Sequence, residues 1–247
     1  MAGQQPSDAD ALALWFNPPY EQGDRRALTR DKVVAEALTV IAAEGAQSLS
    51  MRALAARLGV VPGALYRHVR GKEQLYDLIL DAVLAEVDCR TDPAQPWTVQ
   101  VATLAHRLRA VLENHPGVAA LLKTRDPLSP TSLALAEAFL ASLHAAGLTG
   151  QEAALAFRLI YDYTLGFTLA DPTSPAEQRL RDTATREQLH AFLRTLPASR
   201  FPTLAAHGTY AWEGDRDKRF TAGLATLLRG LQRADQHPPG LGGDLGE

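Results

Sequence analysis

Ser50, Arg52, Arg67 and Lys72 have types and spacings that suit recognition of a phosphate-bearing polymer. Between them lies Pro62-Gly63-Ala64, a run of small side chains. The Arg67 guanidinium can donate two parallel N–H bonds to O6 and N7 of a guanine; it can equally meet a phosphate or stay in water. The Lys72 ammonium, beside the N–H groups that open a helix, suits a phosphate oxygen. Ser50 and Arg52 are placed for the phosphates of the opposite strand, and Ser50 doubles as a helix cap. Small residues at 62–64 let the backbone approach a groove floor, where Ala64 can touch a thymine methyl.

The elements that must hold these residues are legible around them. The stretch SMRALAARLGVVPGALYRHVRGK, residues 50–72, reads as a helix to about Leu58, a tight turn, and a second helix from Pro62 to His68. Leu54, Leu58, Val60 and Leu65 supply the packing positions, with Ala55 small where the helices cross. Gly59 falls where the turn needs positive φ, and Pro62 falls where a missing N–H costs nothing. A helix-turn-helix puts its second helix in the DNA major groove. Before it, Thr29 is a cap for a helix carrying Val33, Val34, Ala37, Leu38 and Ile41, ended by Gly45. After it, a helix begins near Gly71-Lys72, with Gln74 at its third position. Its buried stripe is Leu75, Leu78, Ile79, Ala82 and Val83, and the small domain ends near Cys89.

Charge follows the same division. Residues 25–76 hold nine cations against four anions, a net of +5, so the rest carries −8 of the total −3. A basic head on an acidic body fits a nucleic-acid binder. Residues 1–24 read as a flexible arm, from which Arg25 and Arg26 could reach DNA or simply stay solvated. Ala and Leu dominate, which favours helices. No apolar run is long enough to cross a membrane and no secretory signal is visible, so a cytoplasmic protein is expected. The one cysteine, Cys89, excludes an internal disulfide and a cysteine-based zinc site.

Beyond the TDPAQP linker (91–96), the chain reads as further helices. One carries Val101, Leu104, Ala105, Leu108, Val111 and Leu112 and stops at His115-Pro116; the short piece GVAALL follows. Others cover 131–146, 150–170, 186–196 and about 215–233. The helix at 150–170 is apolar on most sides and is expected to be buried all round. Residues 171–185 and 197–212 read as irregular, and 235–247 as a disordered tail. The fold class is all-α: an N-terminal three-helix helix-turn-helix domain (25–90) and a C-terminal helical ligand-binding and dimerisation domain (97–234).

The runs ALTVIAAEGAQSLSMRALAARLGV and GALYRHVRGKEQL resemble the DNA-binding domain of the TetR family of bacterial transcriptional regulators. More loosely, ENHPGVAALL, LHAAGLTGQEAALAFRLIYDYTLGF and RFTAGLATLLRGL resemble the C-terminal domain of its tetracycline-repressor branch. The resemblance implies a homodimer whose ligand pocket controls the spacing of two reading heads. It places Tyr66 and His68 at positions that meet DNA backbone or base edges, or that pack on the first helix. The branch holds a magnesium–drug complex with a histidine before the 131–146 helix. Here that stretch reads LLKTRDPLSP, without histidine, so neither tetracycline nor a metal is expected.

In the body, Phe139, Phe157, Tyr161 and Thr164 are candidates for an apolar effector site; core or dimer interface is the other reading. Arg158 and Asp162 are spaced to pair on their helix. No catalytic constellation, phosphate loop or metal spacing is present, so neither enzyme activity nor a cofactor is expected. The expected function is a ligand-responsive repressor on an inverted-repeat operator. The alternatives are an activator or partner-controlled regulator, and a helical small-molecule-binding protein or enzyme.

Overall fold

The computed structural model describes residues 28–115, 117–125, 128–169, 182–211 and 215–236. The N-terminal arm with Arg25 and Arg26, most of the 171–185 excursion and the tail beyond 236 lie outside the described residues. Among the described residues every regular element is helical. The fold divides into two compact units, one ending at Thr168 and one beginning at Leu169.

The first unit starts with α1 (Arg30–Glu44), where the Thr29 hydroxyl accepts the Lys32 N–H as expected of a cap. Val33, Val34, Ala37, Val40 and Ile41 form its buried face. Gly45, at φ 81°, ends it and leads into a short 3₁₀ turn, Ala46–Ser48. Then come α2 (Met51–Arg57), α3 (Pro62–Leu65) and α4 (Lys72–Leu84). Leu54, Leu65, Leu75, Ile79 and Val83 are fully buried and form the common core of these helices. The buried face of α4 is wider than the sequence stripe: Tyr76, Leu80 and Leu84 join it, while Leu78 and Ala82 are only partly covered. The reason is that α4 packs on both sides, against α1 and against the body helices at Val118–Thr124 and Pro130–Ala145.

The body helices of this unit are α5 (Trp97–Asn114), α6 (Val118–Thr124), α7 (Pro130–Ala145) and α8 (Gly150–Leu169). Gly117 starts α6 at φ 86°, and a Cβ there would stand 3.0 Å from Ile41 Cγ2 and 3.4 Å from the Ile41 carbonyl oxygen. A glycine is therefore what lets the body touch the end of α1. The expectation that the 150–170 helix is buried all round is not met. Ala153, Ala156, Ile160, Thr164, Leu165 and Thr168 form one buried face, but Leu155 and Leu159 are 62% and 45% exposed. The helix is apolar on more sides than one chain covers.

The second unit holds α9 (Thr183–Arg194), α10 (Pro202–Ala211) and α11 (Arg216–Gln236). Helix α9 begins three residues earlier than expected, because the Asp182 carboxylate caps the Thr185 N–H at 2.8 Å. Residues 202–211, read as irregular, are helical instead. Pro202 stands at the first position, where its ring is tolerated, and Gly208 is a packing residue. A Cβ at Gly208 would lie 3.5 Å from Leu193 of α9 and 3.0 Å from Leu204. Helix α11 buries Phe220, Leu224 and Leu228 along one stripe.

Candidate functional site

The reading head is built by its turn. Helix α2 opens on Ser50, whose Oγ accepts the Ala53 N–H at 3.1 Å, and closes through two reversed hydrogen bonds. Val60 N–H donates to Ala55 O at 3.0 Å and Gly59 N–H to Ala56 O at 3.2 Å, with Gly59 at φ 67°. This is a Schellman closure, which needs the left-handed residue that glycine supplies. Val61 is extended, as a residue before proline must be, and Pro62 starts α3.

Helix α3 is a single turn of four residues, shorter than the expected 62–68; residues 66–68 continue as turns. Its shortness follows from the burial of Leu65 and Val69, which pulls the chain back into the core after one turn. What remains outside is small. Pro62 and Gly63 are exposed and Ala64 partly so. Val61, at 70% exposure, belongs to the same tip and was not foreseen. A β-branched residue directly before the helix-opening proline, off the apolar repeat, was the available signal.

Exposed cations flank this tip along the chain. Arg52, Arg67 and Arg70 are exposed, and so is Lys32 on the first turn of α1. Arg57, by contrast, is tied to Glu36 of α1 at 2.5 Å. Arg30 Nε donates to the His68 carbonyl at 3.4 Å, fastening the turn after α3 to the start of α1. Tyr66 is 54% exposed and His68 is half-buried. Lys72 is the first residue of α4, and its Nζ lies 5.3 Å from the centre of the Tyr76 ring. Gln74 Oε1 accepts the Arg70 N–H at 2.6 Å, closing the entry to α4.

Helix α4 joins head to body. The Tyr76 hydroxyl donates to Ala46 O at 2.7 Å in a buried bond. Arg125, at the end of α6, pairs with Glu73 and, at 2.8 Å, with Asp77, and its Cζ is 5.1 Å from the Tyr76 ring centre. Burial pushes the Asp77 carboxyl up and the Arg125 guanidinium down. The Thr131 hydroxyl bonds to Asp81, and His115 Nε2 meets Glu86 at 2.9 Å. Behind α4, Arg107 donates to the carbonyls of Asp88 and Arg90 at 2.8 and 2.6 Å. Hydrogen bonds from the Arg90 side chain and backbone, with Arg107 nearby, lower the Asp88 carboxyl to about 2.

The four body candidates come together. Phe139 is fully buried on α7, its ring 5.7 Å from Phe157, which is 5.8 Å from Tyr161. Thr164 is fully buried one turn further on, but its hydroxyl donates to Ile160 O at 2.8 Å. Its proton is thus committed within the helix. Arg158 and Asp162 pair at 2.9 Å as spaced. A buried polar set beside them was missed: Gln100, Arg109, Ser142 and Thr168. Arg109, 4% exposed, pairs with Glu113 at 2.9 Å and lies 5.5 Å from the Phe167 ring. Its place next to Leu108 on the apolar repeat of α5 was the signal.

A helix-turn-helix with exposed cations, carried by a larger helical body, defines a DNA-binding transcription regulator. Residues 33–79 match the model of the bacterial regulatory proteins of the tetR family, and 91–234 the tetracyclin repressor-like C-terminal domain. An HTH-type transcriptional regulator of Saccharopolyspora erythraea is 34% identical over 220 residues, 89% of this chain and 91% of its own length. The HTH-type transcriptional repressor DrrR1 of Streptomyces coeruleorubidus is 31% identical, covering 85% of this chain and 80% of that one. Among solved structures, apo ActR of Streptomyces coelicolor superposes with a TM-score of 0.74 at 31% identity, covering 85% of this chain and 98% of ActR. ActR in complex with actinorhodin gives 0.73 at 32% identity, covering 84% and 98%. The chain belongs to the TetR family of transcriptional regulators and is not an enzyme. No helix among the described residues is long and apolar enough to cross a membrane. No group of three or more His, Cys, Asp or Glu among them could hold a metal.

Proposed function

We propose that this chain is a cytoplasmic transcriptional repressor that binds an inverted-repeat operator as a homodimer and is released by a small apolar effector. The observation that carries the DNA half is the exposed tip Val61–Ala64, anchored by buried Leu65, on a helix-turn-helix whose Arg52, Arg67 and Arg70 are exposed. Residues 25–90 serve as the head and 97–234 as the effector and dimerisation body. Pro62, Gly63 and Ala64 enter the major groove, Arg67 reads a guanine, and Tyr66 and His68 meet the backbone or base edges beside it. Ser50, Arg52 and Lys72 hold phosphates; the Ser50 hydroxyl caps α2 with a lone pair and keeps its proton to donate.

Release by a ligand is supported by the tilted ring ladder Phe139–Phe157–Tyr161, with Thr164 one turn beyond. ActR binds actinorhodin and DrrR1 is a repressor, which supports both halves of the reading. Dimerisation is supported by Leu155 and Leu159, apolar and exposed on α8. The test is selection of duplexes from a random-sequence pool by the full chain, followed by a thermal-shift screen of small aromatic molecules. Inverted repeats with half-sites about 34–36 Å apart, and a molecule that raises Tm and dissociates the complex, are the expected results. Enrichment of single, unpaired sites would refute the dimeric reading.

A further inference from the structure

Glu73 and Asp77 put two carboxylates on the first two turns of α4, the helix that begins with Lys72. The Glu73 side chain is 77% exposed and that of Asp77 40%. Phosphates docking at Lys72 would meet both as like charges. The chain answers both with one cation from the body. Arg125 pairs with Glu73 and with Asp77 and lies against the same Tyr76 ring that Lys72 covers.

The allocation of partners along α4 is selective. Glu73, Asp77 and Asp81 recur every fourth residue and so share a face. The two at the DNA end are given a guanidinium; Asp81 is given the Thr131 hydroxyl and N–H. Glu86, past the helix end, is given a histidine. Fastening α4 to the body does not need Arg125, since the Asp81–Thr131 bonds and the Gly117–Ile41 approach already join head and body. The permanent positive charge stands where phosphates would come.

We propose that Arg125 is a charge-masking residue. Held by the body against α4, it offsets one of the two negative charges of Glu73 and Asp77, so that together with Lys72 this end of α4 meets DNA neutral rather than net negative. A body rearrangement that withdraws Arg125 uncovers two carboxylates beside the phosphate contact and weakens binding without any change in head spacing. The inference rests on the reading of Lys72 as a phosphate contact.

The test measures affinity for a duplex selected by the wild-type chain, at about 100 mM salt, where a Debye length is about 10 Å. Arg125→Gln is expected to bind about fivefold more weakly, a loss that shrinks as salt rises. Glu73→Gln with Asp77→Asn, Arg125 retained, is expected to bind more tightly than wild type. The triple variant is expected to bind at least as tightly as wild type, since it keeps Lys72 and carries neither carboxylate, although no ion pair remains. A mere strut predicts the reverse, a triple variant as weak as Arg125→Gln. That result, or an Arg125→Gln variant equal to wild type, overturns the proposal. If Arg125→Gln melts too low to assay, the double variant decides, and unchanged affinity overturns it. Lys72→Ala run alongside separates the failures: no loss there removes the phosphate reading and the masking with it. A loss there with none for Arg125→Gln removes only the masking.

Discussion

A lysine ammonium on a phosphate and an arginine on a base edge leave different fingerprints when removed. Lys72→Ala is expected to weaken binding about equally on every sequence and to lower the salt slope by about one, measured by titration at several salt concentrations. Arg67→Ala is expected to relax preference at one base pair, at a cost of about 1–3 kcal/mol. Asp88 offers a check in the free protein. Its folded value of about 2 lies below the ordinary carboxylate range, so its stabilising effect is full above about pH 4. That effect is lost as pH falls through about 2. A carboxyl-carbon NMR titration with its midpoint near 2, moving toward the ordinary range in Arg90→Ala, is the expected result.

At the scale of elements, the joint between α1, the 3₁₀ turn and α4 hangs on the buried Tyr76 hydroxyl. Tyr76→Phe strands the Ala46 carbonyl and is expected to cost about 1–3 kcal/mol in urea unfolding. Gly59→Ala forces a side chain into the left-handed region and is expected to cost about 1–2 kcal/mol. Elements whose reasons are local were readable in the sequence. Thr29, Ser50 and Gly59 specify their own caps and turn, and each does in the structure what its chemistry demands. Elements whose reasons are tertiary were not. Gly208 and Pro202 look like loop residues until Leu193 is known to press on the glycine. The wide burial of α4 depends on body helices far away in sequence, and Arg125 finds Glu73 and Asp77 across about fifty residues. No spacing rule reaches that far, whereas Lys72, Arg67 and the 62–64 tip sit within one motif and could be named from it.

At the scale of the molecule, Leu155 and Leu159 are large apolar side chains left on the surface of one chain. Covering the exposed half or so of each in a partner is worth about 1 kcal/mol or more. Leu155→Glu with Leu159→Glu is therefore expected to yield monomers in analytical ultracentrifugation and to abolish tight operator binding. A dimeric double variant would place the interface elsewhere.

The brevity of α3 bears on how such a regulator finds its address. A probe of four residues can spell only a short word, on the order of four letters, and a word that short recurs every few hundred positions of a genome. On the proposed dimeric reading, rarity comes from grammar rather than vocabulary: the same word twice, mirrored, at one permitted gap. Anything that alters the gap erases the address while leaving each word intact.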